Sequence, residues 1–125
     1  MQRRVLADSR VHPSILEKLA APKADSVAEV EALVAQHPVV VVGMSQNPFP
    51  GRARKLLDEQ RIPYHYVGYG SYLSQWRKRL PLKLWTGWPT FPMIFVNGTF
   101  IGGFDDMKRL LDSGEFQALL AAPRA

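Results

Sequence analysis

Apolar positions in the first half of the chain predict a helix followed by a buried strand. Side chains spaced three or four residues apart recur at Val27, Val30, Leu33 and Val34. This spacing places them on one face of a helix, in which Ser26 and Glu29 fit a capping box and Pro38 marks the end. Four consecutive valines follow at positions 39–42. An unbroken run of β-branched residues is typical of a strand that is covered on both faces.

A second helix and a second strand follow this valine run. Asn47 and Pro48 are residue types favoured at the cap and the first turn of a helix, and the apolar spacing extends that helix to about residue 60. Residues 64–67 are then predicted to form a strand. Two strands joined by a helix pair in parallel through a right-handed crossover, so this segment indicates a βαβ unit.

Proline and glycine positions divide the next part of the chain into a helix and a hairpin. A helix is predicted from Ser71 to about Leu80, and Pro81 is expected to end or bend it, because a proline removes a backbone donor from the helix. The apolar run Met93–Val96 is predicted to be a strand. The Asn97-Gly98 pair after it favours a tight hairpin turn, from which residues 99–101 return antiparallel.

The C-terminal pattern completes an α/β domain. A last helix is predicted at residues 105–111, followed by a tail around 116–120. The order of elements favours a four-stranded mixed sheet flanked by helices. Residues 1–24 are predicted to form an N-terminal extension with its own short helix, ahead of a single domain at residues 25–122.

Composition excludes several kinds of chemistry. The 125 residues include no cysteine, so this chain cannot ligate zinc through thiolates or perform thiol–disulfide exchange. His12, His37 and His65 are scattered without the spacing of metal ligands, and we expect no metal site. No apolar run approaches the ~20 residues of a membrane span. The first residues also lack a signal-peptide pattern, so we expect a cytoplasmic protein with no membrane partner.

The net charge of +5 favours anionic partners. A basic interaction surface is one interpretation, formed by Arg52, Arg54, Lys55, Arg77 and Lys78. Such a surface would bind nucleic acid without sequence preference. The chain has no aromatic–basic recognition motif, however, and solubility alone explains a moderate net charge. We therefore expect no nucleic-acid partner.

One combination of motifs carries a family resemblance. It consists of Trp88-Pro89-Thr90-Phe91-Pro92, Asn97-Gly98 and Gly102-Gly103-Phe104-Asp105. This combination resembles the C-terminal half of a glutaredoxin and is closest to the monothiol branch. Arg79, Lys83, Trp85 and Trp88 have the spacing found in that branch. The resemblance covers about residues 26–120 and implies the thioredoxin-like (glutaredoxin) fold, to which this chain adds an N-terminal helix.

The resemblance breaks at the residues that perform glutaredoxin chemistry. Asn47-Pro48-Phe49-Pro50 falls on the family's cysteine motif, with Asn47 in place of the nucleophilic cysteine and Pro50 in place of the second cysteine or serine. A carboxamide cannot attack a disulfide, nor replace the thiolate that holds an iron–sulfur cluster with glutathione. We therefore expect no catalytic residue, no iron–sulfur cluster and no oxidoreductase activity. Asn47 has two interpretations: a helix cap bonded to the Phe49 amide, or a polar contact to a ligand thiol.

The resemblance also implies a glutathione-binding groove. In it, a cis peptide bond before Pro92 turns the Phe91 backbone towards the ligand, and the start of the last helix, with Asp105, holds the γ-glutamyl end. Arg79 and Lys83 would meet the glycine carboxylate, although both also fit a solvated basic face, and Asp105 also fits a helix cap. The expected ligand-binding residues are Asn47, Phe49, Arg79, Lys83, Thr90, Phe91, Pro92, Gly103, Phe104 and Asp105. The core and the wall of the groove are expected to include Trp76, Trp85 and Trp88.

Three hypotheses for function follow from these observations. The first is non-catalytic binding of glutathione, or of an extended thiol-containing peptide or partner protein. The second is a glutathione-dependent, transferase-like enzyme in which Asn47 or Ser45 steadies the glutathione thiolate. The third is the basic interaction domain described above. The first retains most of the resemblance and is the main hypothesis.

Overall fold

The computed structural model describes residues 25–45, 47–70 and 75–123. Within these residues the helices and strands are, in chain order, α1 (Asp25–Gln36), β1 (Val39–Gly43), α2 (Pro48–Glu59), β2 (His65–Gly68), α3 (Trp76–Thr86), β3 (Met93–Val96), β4 (Thr99–Gly102), α4 (Phe104–Ser113) and α5 (Glu115–Ala121). The helix expected within residues 1–24 and the helix start expected at Ser71 lie outside the described residues.

The four strands form one mixed sheet in the order β2-β1-β3-β4. β1 pairs in parallel with β2, where Val41 lies beside Tyr66, and antiparallel with β3, where Val41 lies beside Ile94. β3 and β4 form the predicted hairpin, and Asn97 and Gly98 in its turn have positive φ values of 50° and 88°. Two successive positive φ values define the type I′ turn that Asn-Gly favours. The predicted α/β class and mixed sheet are confirmed.

Successive valines of β1 point to opposite faces of the sheet, and helices cover both faces. Val40 and Val42 are fully buried in a core that they form with residues of α1 and α3. Val39 and Val41 are buried on the opposite face, in a core with residues of α2, α4 and α5. This two-sided burial explains why β1 carries no polar side chain.

Helix α3 extends beyond Leu80, the approximate end that the sequence predicts. It continues to Thr86 and is terminated by Gly87, which has a φ of 70° and whose N–H donates to the Lys83 carbonyl at 2.9 Å. Pro81 removes one backbone donor from the helix. Leu82, the next residue, is fully buried in the core. Packing of this face therefore outweighs the local cost of the proline.

The capping box expected at the start of α1 is also wrong. Ser26 Oγ donates to the Lys78 carbonyl of α3 at 2.7 Å, rather than capping its own helix. The Glu29 carboxylate accepts a hydrogen bond from the Tyr69 hydroxyl. Both polar side chains therefore connect α1 to neighbouring segments of the fold.

The C-terminal segment is helical where a tail was expected. Gly114, with a φ of 83°, ends α4 and directly precedes α5, so the two helices share one residue as cap. Phe116 of α5 is fully buried against the sheet. Among the described residues, no helix has the length and apolar character needed to cross a membrane.

Candidate functional site

A cavity of about 400 Å³ opens at the end of the sheet where β1 finishes and β3 begins. Its walls are the start of α2, the segment 88–92 that precedes β3, and the start of α4. The cavity is lined by all of the expected ligand-binding residues except Arg79 and Lys83. It is also lined by Trp88, which was expected in the wall, and by two residues that sequence reasoning did not include, Pro48 and Asp106. The structure thus brings together segments that lie far apart in the sequence.

Asn47 joins two of these walls through both ends of its carboxamide. Its Oδ1 accepts a hydrogen bond from the Phe49 N–H at 3.0 Å, which is the expected N-cap of α2. Its Nδ2 donates to the Phe91 carbonyl at 3.0 Å, a contact between residues 44 positions apart. Since one partner is a donor and the other an acceptor, they fix the orientation of the amide. Asn47 therefore ties α2 to the segment before β3.

The first turn of α2 has few backbone donors. Pro48 and Pro50 carry no N–H, and the Phe49 N–H is already bonded to Asn47. The N–H groups of the first turn are those that a helix leaves unpaired, and they are what makes a helix N-terminus attractive to anions. Pro48 to Pro50 consequently offer no free N–H to a ligand.

The peptide bond between Phe91 and Pro92 is cis, as the resemblance implies. The Phe91 side chain is buried in the core, while its carbonyl accepts the bond from Asn47 and lies at the cavity. A carbonyl oxygen has a second lone pair. The Phe91 N–H has no hydrogen-bond partner within the described part of the chain. Main-chain groups suited to pairing with an extended ligand are therefore present here.

The start of α4 forms the third wall, and Asp106 rather than Asp105 caps it. Asp106 Oδ2 accepts a hydrogen bond from the Gly103 N–H at 3.0 Å, while Asp105 is exposed to solvent. The spacing from Gly103 to Asp106 is that of a capping box, a signal in the sequence that could have identified this residue. The first bond within the helix runs from the Met107 N–H to the Gly103 carbonyl at 3.0 Å. The N–H groups of residues 104–106 therefore take no part in the hydrogen bonding within the helix.

Of the two glycines before α4, the backbone geometry requires only Gly102. Gly102 has a φ of 100°, and a Cβ there would lie 2.6 Å from Asp106 Oδ2. At Gly103 a Cβ would meet its nearest atoms, the Pro92 carbonyl oxygen and Trp88 Nε1, at 3.6 Å, an ordinary contact. Gly102 therefore allows the chain to turn closely behind the carboxylate that caps α4.

Arg79 lies in the protein interior rather than in the cavity. It is 5% exposed, and its Nη1 donates to the Tyr69 carbonyl at 2.9 Å. The interpretation of Arg79 as part of a solvated basic face is therefore wrong, because its side chain extends from α3 and is buried against the segment after β2. Burial, followed by the hydrogen bond to Glu29, raises the pKa of the Tyr69 hydroxyl. Lys83 is half-buried, with its Nζ 5.9 Å from the centre of the Phe91 ring.

The three tryptophans do not share one environment. Trp85 stacks on Phe95 with ring centres 5.8 Å apart, and Trp88 packs edge-on against Phe100 at 5.7 Å, so both contribute to the core as expected. Trp76 is 52% exposed at the start of α3, and its expected place in the core is wrong. Its position at the exposed end of the helix explains the difference.

An aromatic rim borders the cavity beside Asn47. Phe49 is 40% exposed, although it is a large apolar side chain. Its ring centre lies 6.1 Å from that of Phe104 on the opposite wall, and the Arg52 guanidinium carbon lies 4.9 Å from the Phe49 ring centre.

Among the residues that the structure describes, no group of three or more His, Cys, Asp or Glu side chains is placed to hold a metal ion.

Comparison with known proteins agrees with this geometry. A sequence model of the family described as Glutaredoxin matches residues 39–101. A glutaredoxin-like protein from Dictyostelium discoideum is 47% identical over 90 residues, which cover 72% of this chain and 73% of that protein. The chain belongs to the glutaredoxin family. The matched residues include the Asn-Pro-Phe-Pro segment and the cis-proline turn but not the start of α4.

Two further comparisons support the assignment of this chain to the glutaredoxin family. It is 36% identical over 81 residues to monothiol glutaredoxin-4 from Schizosaccharomyces pombe, covering 62% of this chain and 32% of that protein. The chain therefore spans about a third of the length of that relative. The crystal structure of a buckwheat glutaredoxin–glutathione complex superposes with a TM-score of 0.67 at 26% identity, covering 76% of this chain and 86% of that one. These similarities confirm the glutaredoxin fold.

Proposed function

We propose that this glutaredoxin-family chain binds glutathione, or an extended segment of a thiol-containing peptide or partner protein, without performing thiol–disulfide exchange. The observation that carries the proposal is that Phe91 and the start of α4, both of which have main-chain groups outside regular hydrogen bonding, line one cavity of about 400 Å³. Neither group of contacts uses a cysteine side chain. A peptide-shaped ligand can therefore be held although the nucleophile of the family is missing.

The start of α4 suits a ligand carboxylate. The N–H groups of residues 104–106 lie at the N-terminus of a ten-residue helix, where the helix dipole favours negative charge. The Asp105 carboxylate is exposed beside them and suits a ligand amino group. The nearby Asp106 carboxylate already accepts a hydrogen bond from the Gly103 N–H, and its Oδ1 lies 3.9 Å from Arg109 Nη1. A γ-glutamyl group, which carries both a carboxylate and an amine, matches this arrangement.

Phe91 suits the main chain of the same ligand. An extended peptide that is added beside a strand pairs through one N–H and one carbonyl of the receptor residue. The Phe91 N–H and the second lone pair of the Phe91 carbonyl supply these two groups. Asn47 leaves that pairing intact because it uses only one of the two lone pairs.

The absence of cysteine supports a binding role rather than a redox role. Thiol–disulfide exchange begins with attack by a thiolate, and this chain has none. The transferase-like hypothesis needs Asn47 or Ser45 to steady a glutathione thiolate. Asn47 already uses its Oδ1 and one of its two Nδ2 hydrogens in bonds to Phe49 and Phe91, which leaves a single N–H for such a role. No comparable observation favours nucleic acid.

Titration of the ¹⁵N-labelled chain with reduced glutathione tests the proposal. We expect saturable amide shifts confined to Phe91, Phe104, Asp105 and their neighbours. Cysteinylglycine, which lacks the γ-glutamyl group, should shift Phe91 but leave the start of α4 unchanged. As a matched control, Leu84→Ala on the exposed side of α3 should leave the titration unaltered. An unchanged spectrum at millimolar glutathione would refute the small-molecule form of the proposal.

A further inference from the structure

The surroundings of Asn47 do not favour a negatively charged sulfur. In the first turn of α2, Pro48 and Pro50 have no N–H and the Phe49 N–H is bonded to Asn47. One N–H of Asn47 Nδ2 is likewise bonded, to the Phe91 carbonyl. A thiolate is stabilised by free helix N–H groups or by neighbouring cations with hydrogen-bonding reach. Little such stabilisation is available on this wall of the cavity.

The same region offers an apolar surface instead. The ring of Phe49 is 40% exposed at the rim, and the ring of Phe104 faces it from the start of α4 at 6.1 Å. The exposed Arg52 side chain packs on the same ring, with its guanidinium carbon 4.9 Å from the ring centre. The two rings already contact each other at this separation, and the exposed part of the Phe49 ring can pack against a further ring in an offset or edge-on arrangement.

We propose that the preferred ligand is glutathione whose sulfur carries an apolar carbon substituent, a thioether conjugate, rather than glutathione with a free thiol. This inference rests on the proposed function, because it uses the main-chain cradle to place the tripeptide. The γ-glutamyl group lies at the start of α4 and the cysteinyl main chain pairs with Phe91. The sulfur then lies near Asn47, and its substituent lies against Phe49 and Phe104. The thioether sulfur is uncharged and needs no donor.

Calorimetric binding of three ligands at neutral pH tests this assignment. We expect S-benzylglutathione to bind at least about tenfold more tightly than reduced glutathione, because its ring is removed from water against Phe49. S-methylglutathione should bind at least as tightly as reduced glutathione, since it loses no hydrogen bond to the protein. Binding of reduced glutathione that is as tight as that of S-benzylglutathione, or tighter, would overturn the assignment while leaving the proposed function intact. Failure of all three ligands to bind would overturn both the assignment and the small-molecule form of the proposed function.

The pH dependence separates an uncharged from a charged sulfur. The affinity of reduced glutathione, divided by that of S-methylated glutathione, should fall between about pH 7 and about pH 9.5, a range that spans an ordinary thiol pKa, because the cavity offers a thiolate little stabilisation. The methylated ligand controls for titration of the ligand amino group and of the protein. A ratio that rises with pH in favour of reduced glutathione would show that the cavity selects the thiolate and would contradict the assignment.

Two variants test the residues that carry the inference. Phe49→Ala keeps the backbone N–H that bonds to Asn47, and we expect it to lower the affinity for S-benzylglutathione about tenfold without changing that for S-methylglutathione. Pro50→Ala returns one N–H to the first turn of α2 and should improve binding of reduced glutathione at high pH. An unchanged preference for the benzyl ligand in Phe49→Ala would remove the aromatic rim from the site.

Discussion

Replacement of Asn47 tests whether this residue is a structural bridge between two walls of the cavity. Asn47→Ala removes the cap of α2 and the bond to the Phe91 carbonyl. A cap is worth about 1 kcal/mol, and a further hydrogen bond is worth about 1 kcal/mol net. Since the two bonds involve different partners, the free energy of unfolding should fall by about 2 kcal/mol.

Asn47→Ser separates the two contributions. A serine hydroxyl can cap α2 as well as asparagine does, but its shorter side chain does not reach Phe91. We therefore expect a loss of about 1 kcal/mol, half that of the alanine variant. Urea unfolding of the three proteins, with the denaturant dependence held equal, measures both differences.

The reasoning would be refuted in either of two ways. If Asn47→Ser keeps the stability of the parent chain while Asn47→Ala loses about 1 kcal/mol, the bond to Phe91 contributes nothing and Asn47 acts only as a cap. If both variants remain within about 0.3 kcal/mol of the parent chain, neither bond matters to the fold. Amide shifts at Phe91 provide an independent readout, since only loss of the Nδ2 contact should move them in the serine variant.

Three further predictions concern the surroundings of the cavity. Gly102→Ala should destabilise the fold by about 2 kcal/mol because of its positive φ and a clash with the capping carboxylate, while Gly103→Ala should cost less than about 1 kcal/mol; thermal unfolding compares the pair. Burial, and to a lesser extent the hydrogen bond to the Glu29 carboxylate, raise the pKa of the Tyr69 hydroxyl above its ordinary value of 10.0. The unfolded chain therefore releases the phenol proton at a lower pH than the folded chain does, and the free energy of unfolding falls as pH rises above 10.0. Tyr69→Phe should therefore show a shallower loss of stability in alkaline urea titrations, by at most about 1.4 kcal/mol per pH unit, and an equal slope would contradict the assignment. Arg79→Ala should lower the free energy of unfolding by about 2–3 kcal/mol, against less than about 1 kcal/mol for Lys83→Ala, and the reverse order would place Arg79 at the surface.

The fold was largely predictable because its signals are local. The valine run of β1, the Asn97-Gly98 turn and the Asn47-Pro48 helix start each depend on residues adjacent in sequence. Errors arose where distant packing decides the structure. The helix continues through Pro81 because the fold buries Leu82, and no local pattern shows that burial.

The site was predictable in its residues but less so in its bonds. The resemblance identified the turn at Pro92 and the helix start at Gly103, and the structure places both at one cavity. The bond from Asn47 to Phe91 joins residues 44 positions apart, so sequence spacing alone could not suggest it. The burial of Arg79 has the same cause, because its partner at Tyr69 is brought close only by the folded chain.

A crystal structure of the chain with saturating glutathione tests most directly whether a main-chain cradle functions without the family's cysteine. We expect the cysteinyl residue of the tripeptide to pair with the Phe91 main chain, and the γ-glutamyl carboxylate to accept from the N–H groups of residues 104–106. A tripeptide bound away from these groups, or an empty cavity under saturating conditions, would contradict the central claim.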